Sequence, residues 1–234
     1  SDIVGWWNGS ELKVSNSHVE RLSDQSSAMH HFLGSSGSGS AENYRPAYFT
    51  NGAKGHPALD FDGSEADGKA DKLELDPSSA NILKSGTFTI FAVLKLDTTT
   101  EENILLGSCQ GTPYEVTLQG KEVSITHGNG NRQSILWSVY LTETLGDWSL
   151  LTIVLGPGSV TVTQDGGSGS TSSTGQASYD FRFHEIGHRC GPTKDADKSF
   201  DGKLAELLVF SDKLQSERAK IESLLKQKYS IPNP

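Results

Sequence analysis

Along most of this chain apolar side chains recur at every second position, the period of an extended strand that turns one face to a core. Residues 87–94, Thr-Phe-Thr-Ile-Phe-Ala-Val-Leu, add the β-branched and aromatic side chains that suit a pleated surface. Residues 114–118 and 121–125 flank Gln119-Gly120, and residues 148–155 and 160–163 flank Gly156-Pro157-Gly158, so both pairs predict hairpins. Residues 204–210 are apolar except for Glu206, as in a strand covered on both faces. The period changes only near the end. Ile221, Leu224, Leu225 and Tyr229 recur at helical spacing, with Ser216 as the expected N-cap. Glu217, Arg218, Lys220, Glu222 and Lys226 charge the other face of that helix. Two stretches rich in glycine and serine, 34–40 and 166–175, read as flexible surface loops, since they carry too little apolar area to hold a fixed structure. The pattern predicts an all-β protein: a two-sheet antiparallel sandwich closed by a short C-terminal helix.

The chain has 234 residues, a length that one β-sandwich domain commonly fills, so residues 1–234 are expected to form a single domain. Its 25 glycines and one methionine fit many short strands joined by tight turns. No apolar run is long enough to cross a bilayer, so membrane insertion is not expected. A net charge of −9 with no basic stripe argues against a nucleic-acid partner, whose phosphates require clustered Lys and Arg. Ser1-Asp2-Ile3-Val4 shows neither the basic nor the apolar segment of a signal peptide. Cys109 and Cys190 are compatible with two buried thiols or with one disulfide, and the sequence leaves that choice open.

Four segments, in order, resemble the concanavalin A-like, laminin G-like jelly-roll family in its bacterial and phage branch. Ile3-Val4-Gly5-Trp6-Trp7 resembles the opening aromatic strand. Residues 21–26, Arg-Leu-Ser-Asp-Gln-Ser, resemble a W-x-D-x-S segment in which Leu22 replaces tryptophan. Residues 56–63, followed by Leu73 and 86–90, match the middle of the family pattern, and residues 200–210 with Leu214 and 225–229 match the closing strand and helix. The resemblance implies a binding or structural module rather than a particular ligand. The leading expectation is a non-catalytic, lectin-like adhesion module that recognises a carbohydrate or surface ligand. The alternative is a virion structural protein, a capsid-decoration or tail component built on the same sandwich. Either role places the chain on an extracellular or virion surface with a carbohydrate or a surface or virion protein as partner, and oligomerisation stays open.

One motif points elsewhere. His184-Glu185-Ile186-Gly187-His188 spells H-E-x-x-H, which on a helix sets two imidazoles one turn apart around zinc with the glutamate beside a metal-bound water. A zinc peptidase is therefore a third reading. Against it, Ala177, Tyr179, Phe181 and Phe183 alternate into the motif with the period of a strand. On a strand His184 and His188 would stand about 13 Å apart, too far to share one ion. The extended form of the motif also has Lys194 where a third histidine belongs, and the only methionine, Met29, lies upstream of the motif.

Other sites are weaker. The E-x-D-x-E and E-x-D-x-x-E runs of sandwich glycosidases do not occur, so catalysis on sugars is not expected. Asp195, Asp197, Ser199, Asp201 and Glu206 fall at the ligand spacing of a calcium loop, but Phe200 sits where the sharp turn needs glycine. Calcium is a cofactor the sequence admits, with Asp195, Asp197 and Asp201 as candidate ligands. Asp60, Asp62, Asp67 and Asp71 form a second acidic loop. For sugar binding, aromatic faces stack on pyranose rings while polar neighbours fix the hydroxyls. Tyr44, Tyr48, Tyr114, Trp137 and Tyr140 lie in or near turn-rich segments and are the candidate ligand-binding residues. Trp6, Trp7 and Trp148 are assigned to the core, and His30 and His31 to a strand.

Overall fold

Within the strand Phe88–Leu96, Ile90, Ala92, Leu94 and Leu96 enter one buried cluster while Phe91 and Val93 enter another. Side chains of a strand alternate between faces, so this strand has apolar cover on both sides and lies inside a layered structure. The computed structural model describes residues 3–34, 44–63, 70–77, 84–108, 114–128, 133–173, 181–189 and 198–233.

The first sheet runs Ser170–Ser173, Ser159–Gln164, Ser149–Gly156, Phe88–Leu96, Gly202–Phe210. The far side of Gly202–Phe210 is shared, with His56–Phe61 along its start and Ile3–Asn8 along its end. Ala47–Ala53 follows His56–Phe61 and reaches the second sheet through one pair, Ala47 with His18. That sheet runs His18–Leu22, Phe32–Gly34, Leu73–Leu75, Glu185–Ile186, Asn103–Gly107, Tyr114–Gln119, Glu122–Gly128, Gln133–Tyr140. All of these pairings are antiparallel. The ribbon of strands folds over itself into an all-β, two-sheet jelly-roll sandwich. Among the described residues its two end strands, Ser170–Ser173 and Gln133–Tyr140, approach each other at the open side.

The main core fills the space between the sheets. Trp7 packs edge-on against Phe32 with ring centroids 5.0 Å apart, and Phe61, Phe88, Phe181, Phe183 and Phe200 are buried with them. A second cluster covers the outer face of the first sheet. There the helix Arg218–Tyr229 lays Leu225 and Tyr229 over Phe91, Val93, Leu150 and Ala205, with Trp6 and Trp148 half-buried at the margin. Trp7 is thus core, as its sequence position suggests, and the other two tryptophans serve the helix side.

The lone charge in the closing strand has a local cause. Leu204 pairs with Leu94 and Glu206 with Val93, so a bulge at Ala205 shifts Glu206 to the helix side. Glu206 is 2% exposed and accepts hydrogen bonds from Trp6 Nε1 at 2.6 Å and Lys228 Nζ at 2.8 Å. A buried carboxylate needs this pairing. Burial, and then the Glu206 charge, push the neighbouring Tyr229 phenol well above its usual range.

Four expectations are corrected. The helix begins at Arg218 with Glu217 in the cap position and no side-chain cap, so Ser216 is not the N-cap and packing of Leu225 and Tyr229 holds the helix instead. Leu224 is exposed while Glu222 is buried, because the inward stripe runs through Ile221, Leu225 and Tyr229 at four-residue steps. Residues 166–175 are not wholly a loop: Ser170–Ser173 is an edge strand paired with Ser159–Val162. Strand pairing satisfies its backbone even though its side chains bring no apolar area. The other glycine-serine stretch lies outside the described residues apart from Gly34, which ends a strand.

The fourth correction concerns His30 and His31, which lie in a loop rather than a strand. Asp24 organises that loop. Its Oδ1 accepts from Trp6 N and Ser26 N, and its Oδ2 from Ser26 Oγ and His30 N, each at 2.8 Å. His30 Nδ1 donates to Val4 O at 2.7 Å, and Trp7 Nε1 donates to His30 O at 2.6 Å. The Asp-x-Ser of residues 24–26 thus ties the loop to the first strand.

Candidate functional site

In the strand Gln133–Tyr140, Trp137 and Val139 point into the core, so Tyr140 emerges on the opposite face at the end of the strand. It is 65% exposed. Its hydroxyl donates to Glu122 Oε2 at 3.4 Å, and the same carboxylate accepts from Ser138 Oγ at 2.5 Å. Glu122 is the direct cross-strand partner of Tyr140, so the ring is tethered by its hydroxyl and keeps its faces toward solvent.

Opposite Tyr140 the chain turns through Asp165 and Gly166, both with positive φ (53° and 71°), into the edge strand Ser170–Ser173. Asp165 Oδ1 accepts from Leu150 N at 2.7 Å and fixes this turn. Where the two end strands approach, they leave a cleft of about 560 Å³ lined by Tyr140, Thr142, Gln164, Gly167, Ser168 and Ser170 among others. The volume lies within the range of small-ligand sites. One open aromatic ring faces hydroxyls and exposed glycine backbone, while the Gln164 amide is buried and engaged by Ser149 Oγ and Glu143 N. Such a lining can stack on a sugar ring and hydrogen-bond its hydroxyls.

Of the five aromatic candidates, only Tyr140 lines this cleft. Tyr114 and Trp137 are 8% and 1% exposed and pack on Phe181 with ring centroids 5.1 and 5.8 Å away, which places them in the core rather than at a surface site. Both occupy inward positions of their strands, in phase with Val116 and Val139. Tyr48 is half-buried against the main core, and Tyr44 is half-buried with its carbonyl accepting from Lys72 N at 3.2 Å. Gln164, Gly167, Ser168 and Ser170 were not candidates from sequence, because only the approach of two distant strand ends makes them neighbours of Tyr140.

The H-E-x-x-H segment is extended, not helical, but it is not one continuous strand. Glu185–Ile186 pairs with the second sheet, Gly187 turns with φ of 85°, and His188–Arg189 pairs separately with Lys198–Ser199. His184 Nδ1 lies 2.9 Å from Ser108 Oγ, and burial lowers the His184 pKa. His188 Nδ1 lies 3.1 Å from Glu185 Oε2, so the glutamate engages an imidazole of the motif itself. Among the described residues no three His, Cys, Asp or Glu side chains are grouped to hold a metal ion.

Asp195 and Asp197 lie outside the described residues, as do Asp67, Cys109 and Cys190. Asp201 accepts from the Thr98 hydroxyl, and its backbone N donates to Asn103 Oδ1 at 2.8 Å. Glu206, the supposed twelfth ligand, is buried in the closing strand against Trp6 and Lys228 and is unavailable to that loop.

In the second acidic loop Asp60 pairs with Lys203 at 3.2 Å, while Asp71 is buried and accepts from Asp62 N at 2.8 Å. Burial, opposed by that hydrogen bond and aided by the nearby Asp62 and Asp60 charges, raises the Asp71 pKa from 3.8 to about 7. The folded state therefore holds a proton that the unfolded state has released between those two values. Unfolding free energy should fall as pH rises from 3.8 to about 7 and stay lowered above that. Denaturant titrations at pH 5 and pH 8 should show this fall for the wild type, and Asp71→Asn should largely remove it. An unchanged slope in the variant would mean another group carries the dependence.

A family model described as the concanavalin A-like lectin/glucanases superfamily, of laminin G type, matches residues 67–220. No curated protein sequence matches the chain significantly. Among solved structures, the botulinum neurotoxin serotype G binding domain superposes with a TM-score of 0.61 at 10% identity, covering 98% of this chain and 52% of that one. Domain 4 of a GH43 extracellular arabinanase from Geobacillus stearothermophilus, solved with arabinotriose, superposes at 0.60 and 15% identity, covering 94% of this chain and 98% of that one. The chain thus spans about half of the toxin chain and nearly all of the arabinanase domain. At these identities the likeness is one of fold.

Proposed function

This chain belongs to the concanavalin A-like lectin/glucanases superfamily, and from that premise we propose that it is a non-catalytic, lectin-like recognition module for carbohydrate, displayed on an extracellular or virion surface. The observation that carries the reading is the exposed Tyr140 ring facing a polar cleft at the open side of the sandwich. The arabinanase domain is solved in complex with arabinotriose, so the scaffold accommodates a sugar elsewhere. Among the described residues the lining of this cleft offers hydroxyls and no carboxylate. Retaining glycoside hydrolysis requires two carboxyl groups about 5 to 5.5 Å apart, so the lining suits recognition rather than cleavage.

The test is a broad glycan array followed by titration of the best binder. Tyr140→Ala removes the stacking surface and should weaken binding about 10- to 100-fold without lowering stability, since the ring is exposed. Binding that survives the substitution would move the site away from this cleft. Silence across the array, with the chain recovered from purified particles at a stoichiometry set by their symmetry, would replace the reading with a virion structural role.

A further inference from the structure

Gly166 borders two clefts. One is the Tyr140 cleft; the other, of about 570 Å³, lies on the helix side between the Asp165-Gly166 turn and the chain's last residues. Its exposed polar side chains include Ser223, Gln227 and Asn233. The two volumes are similar, and the residue between them has no side chain. A Cβ at Gly166 would point toward Lys226 Nζ at 3.4 Å and Glu222 Oε2 at 3.7 Å, so glycine leaves a low saddle over those two groups.

The two groups beneath the saddle are engaged within the protein, Lys226 by neutral oxygens and Glu222 through Oε1. Lys226 Nζ donates to Asp165 O at 2.7 Å and to Asn233 Oδ1 at 2.5 Å, which also fastens the helix to the turn. Glu222 accepts from the Thr163 hydroxyl at 3.3 Å and lies 3.6 Å from Arg218 Nε. The opposite charges of Lys226 and Glu222 lie side by side under Gly166 and offset each other, and the exposed Ser223 and Gln227 add neutral hydrogen-bonding capacity.

We propose that the two clefts form one trough, and that its ligand is a linear, neutral glycan whose chain crosses Gly166 from the Tyr140 ring to the helix. This rests on the carbohydrate reading of the Tyr140 cleft and adds chain length and charge to it. A short oligosaccharide would fill only the Tyr140 side, whereas a longer one would also contact Gln227 and Ser223.

Isothermal titration with neutral arabino-, xylo-, cello- and malto-oligosaccharides of two to eight units tests this, with oligogalacturonides of equal length as the acidic comparison. In the neutral series that binds, affinity should rise at least tenfold between two and six units and then level off. Gly166→Asn, a residue tolerated at positive φ, and Gln227→Ala should each draw the six-unit to two-unit affinity ratio toward one. Equal affinity at all lengths, with dependence on Tyr140 retained, would overturn the trough and leave the single-cleft reading standing. Tighter binding of oligogalacturonides would overturn the neutral specificity. Failure of every series, neutral and acidic, to bind the folded protein would overturn the trough, and silence across the glycan array as well would overturn the carbohydrate reading.

Discussion

Asp24→Ala should lower the unfolding free energy by about 3 to 5 kcal/mol, since hydrogen bonds to a charged group contribute about 1.5 to 3 kcal/mol each and buried donors left unpaired cost more. The carboxylate is 8% exposed and accepts four hydrogen bonds, three from backbone N–H groups. Those of Trp6 and His30 lie on different segments, so the side chain joins the first strand to the loop after His18–Leu22. Losing it would also loosen His30, whose carbonyl accepts from the Trp7 indole within the main core. Denaturant midpoints at neutral pH provide the readout. Asp24→Asn keeps an acceptor oxygen and should fall between wild type and alanine. A cost below about 1 kcal/mol for alanine would show that water replaces the network.

Gly187→Val should cost about 3 kcal/mol or more, by adding backbone strain of about 1 to 2 kcal/mol to an overpacking cost of about 1 to 3 kcal/mol. Its φ is 85°, and a Cβ there would lie 2.6 Å from the Phe61 ring and 3.2 Å from Asp71 O. Phe61 cannot swing away, because it is buried edge-on against Phe200 with centroids 5.6 Å apart. Gly187 also bonds on both sides: its N donates to Leu105 O at 3.1 Å, and its O accepts from Phe200 N at 2.8 Å. Gly55 isolates the two contributions. Its φ is 89°, yet nothing lies within 4 Å of its would-be Cβ, so Gly55→Val should show the strain alone. Equal costs at the two positions, measured by thermal and chemical unfolding, would remove packing against Phe61 from the explanation.

The strands were legible because each has its own apolar rhythm. The alternation at 87–94 became the central strand Phe88–Leu96, and the apolar run at 204–210 became a strand covered by core on one side and helix on the other. The resemblance to the jelly-roll family agrees with the match over residues 67–220. Phase within a strand was also in the sequence, but aromatic type concealed it. Trp137 and Val139 share parity with the core, which leaves Tyr140 outward, while Tyr114 shares the inward parity of Val116 and Leu118. Parity separates Tyr140 from Tyr114 and Trp137.

What lay beyond reading was set by distant parts of the chain. Ser170–Ser173 has the composition of a loop, yet the edge of Ser159–Gln164 supplies the ladder that makes it a strand. Glu206 reads as a ligand by spacing, but the bulge at Ala205 turns it under the helix. The H-E-x-x-H spacing implied a metal pair, whereas strand pairing on either side of Gly187 gives each histidine a separate neighbour. In each case a local pattern met a tertiary contact, and the contact decided the outcome.

The proposed location of the site is most directly tested by amide NMR titration with the oligosaccharide selected from the array. Perturbed resonances are expected at Tyr140, Thr142 and residues 164–170, extending to Gln227 as the ligand lengthens. Shifts confined to other surfaces, such as the turn around Asp62 and Asp71, with the Tyr140 region silent at saturation, would contradict it.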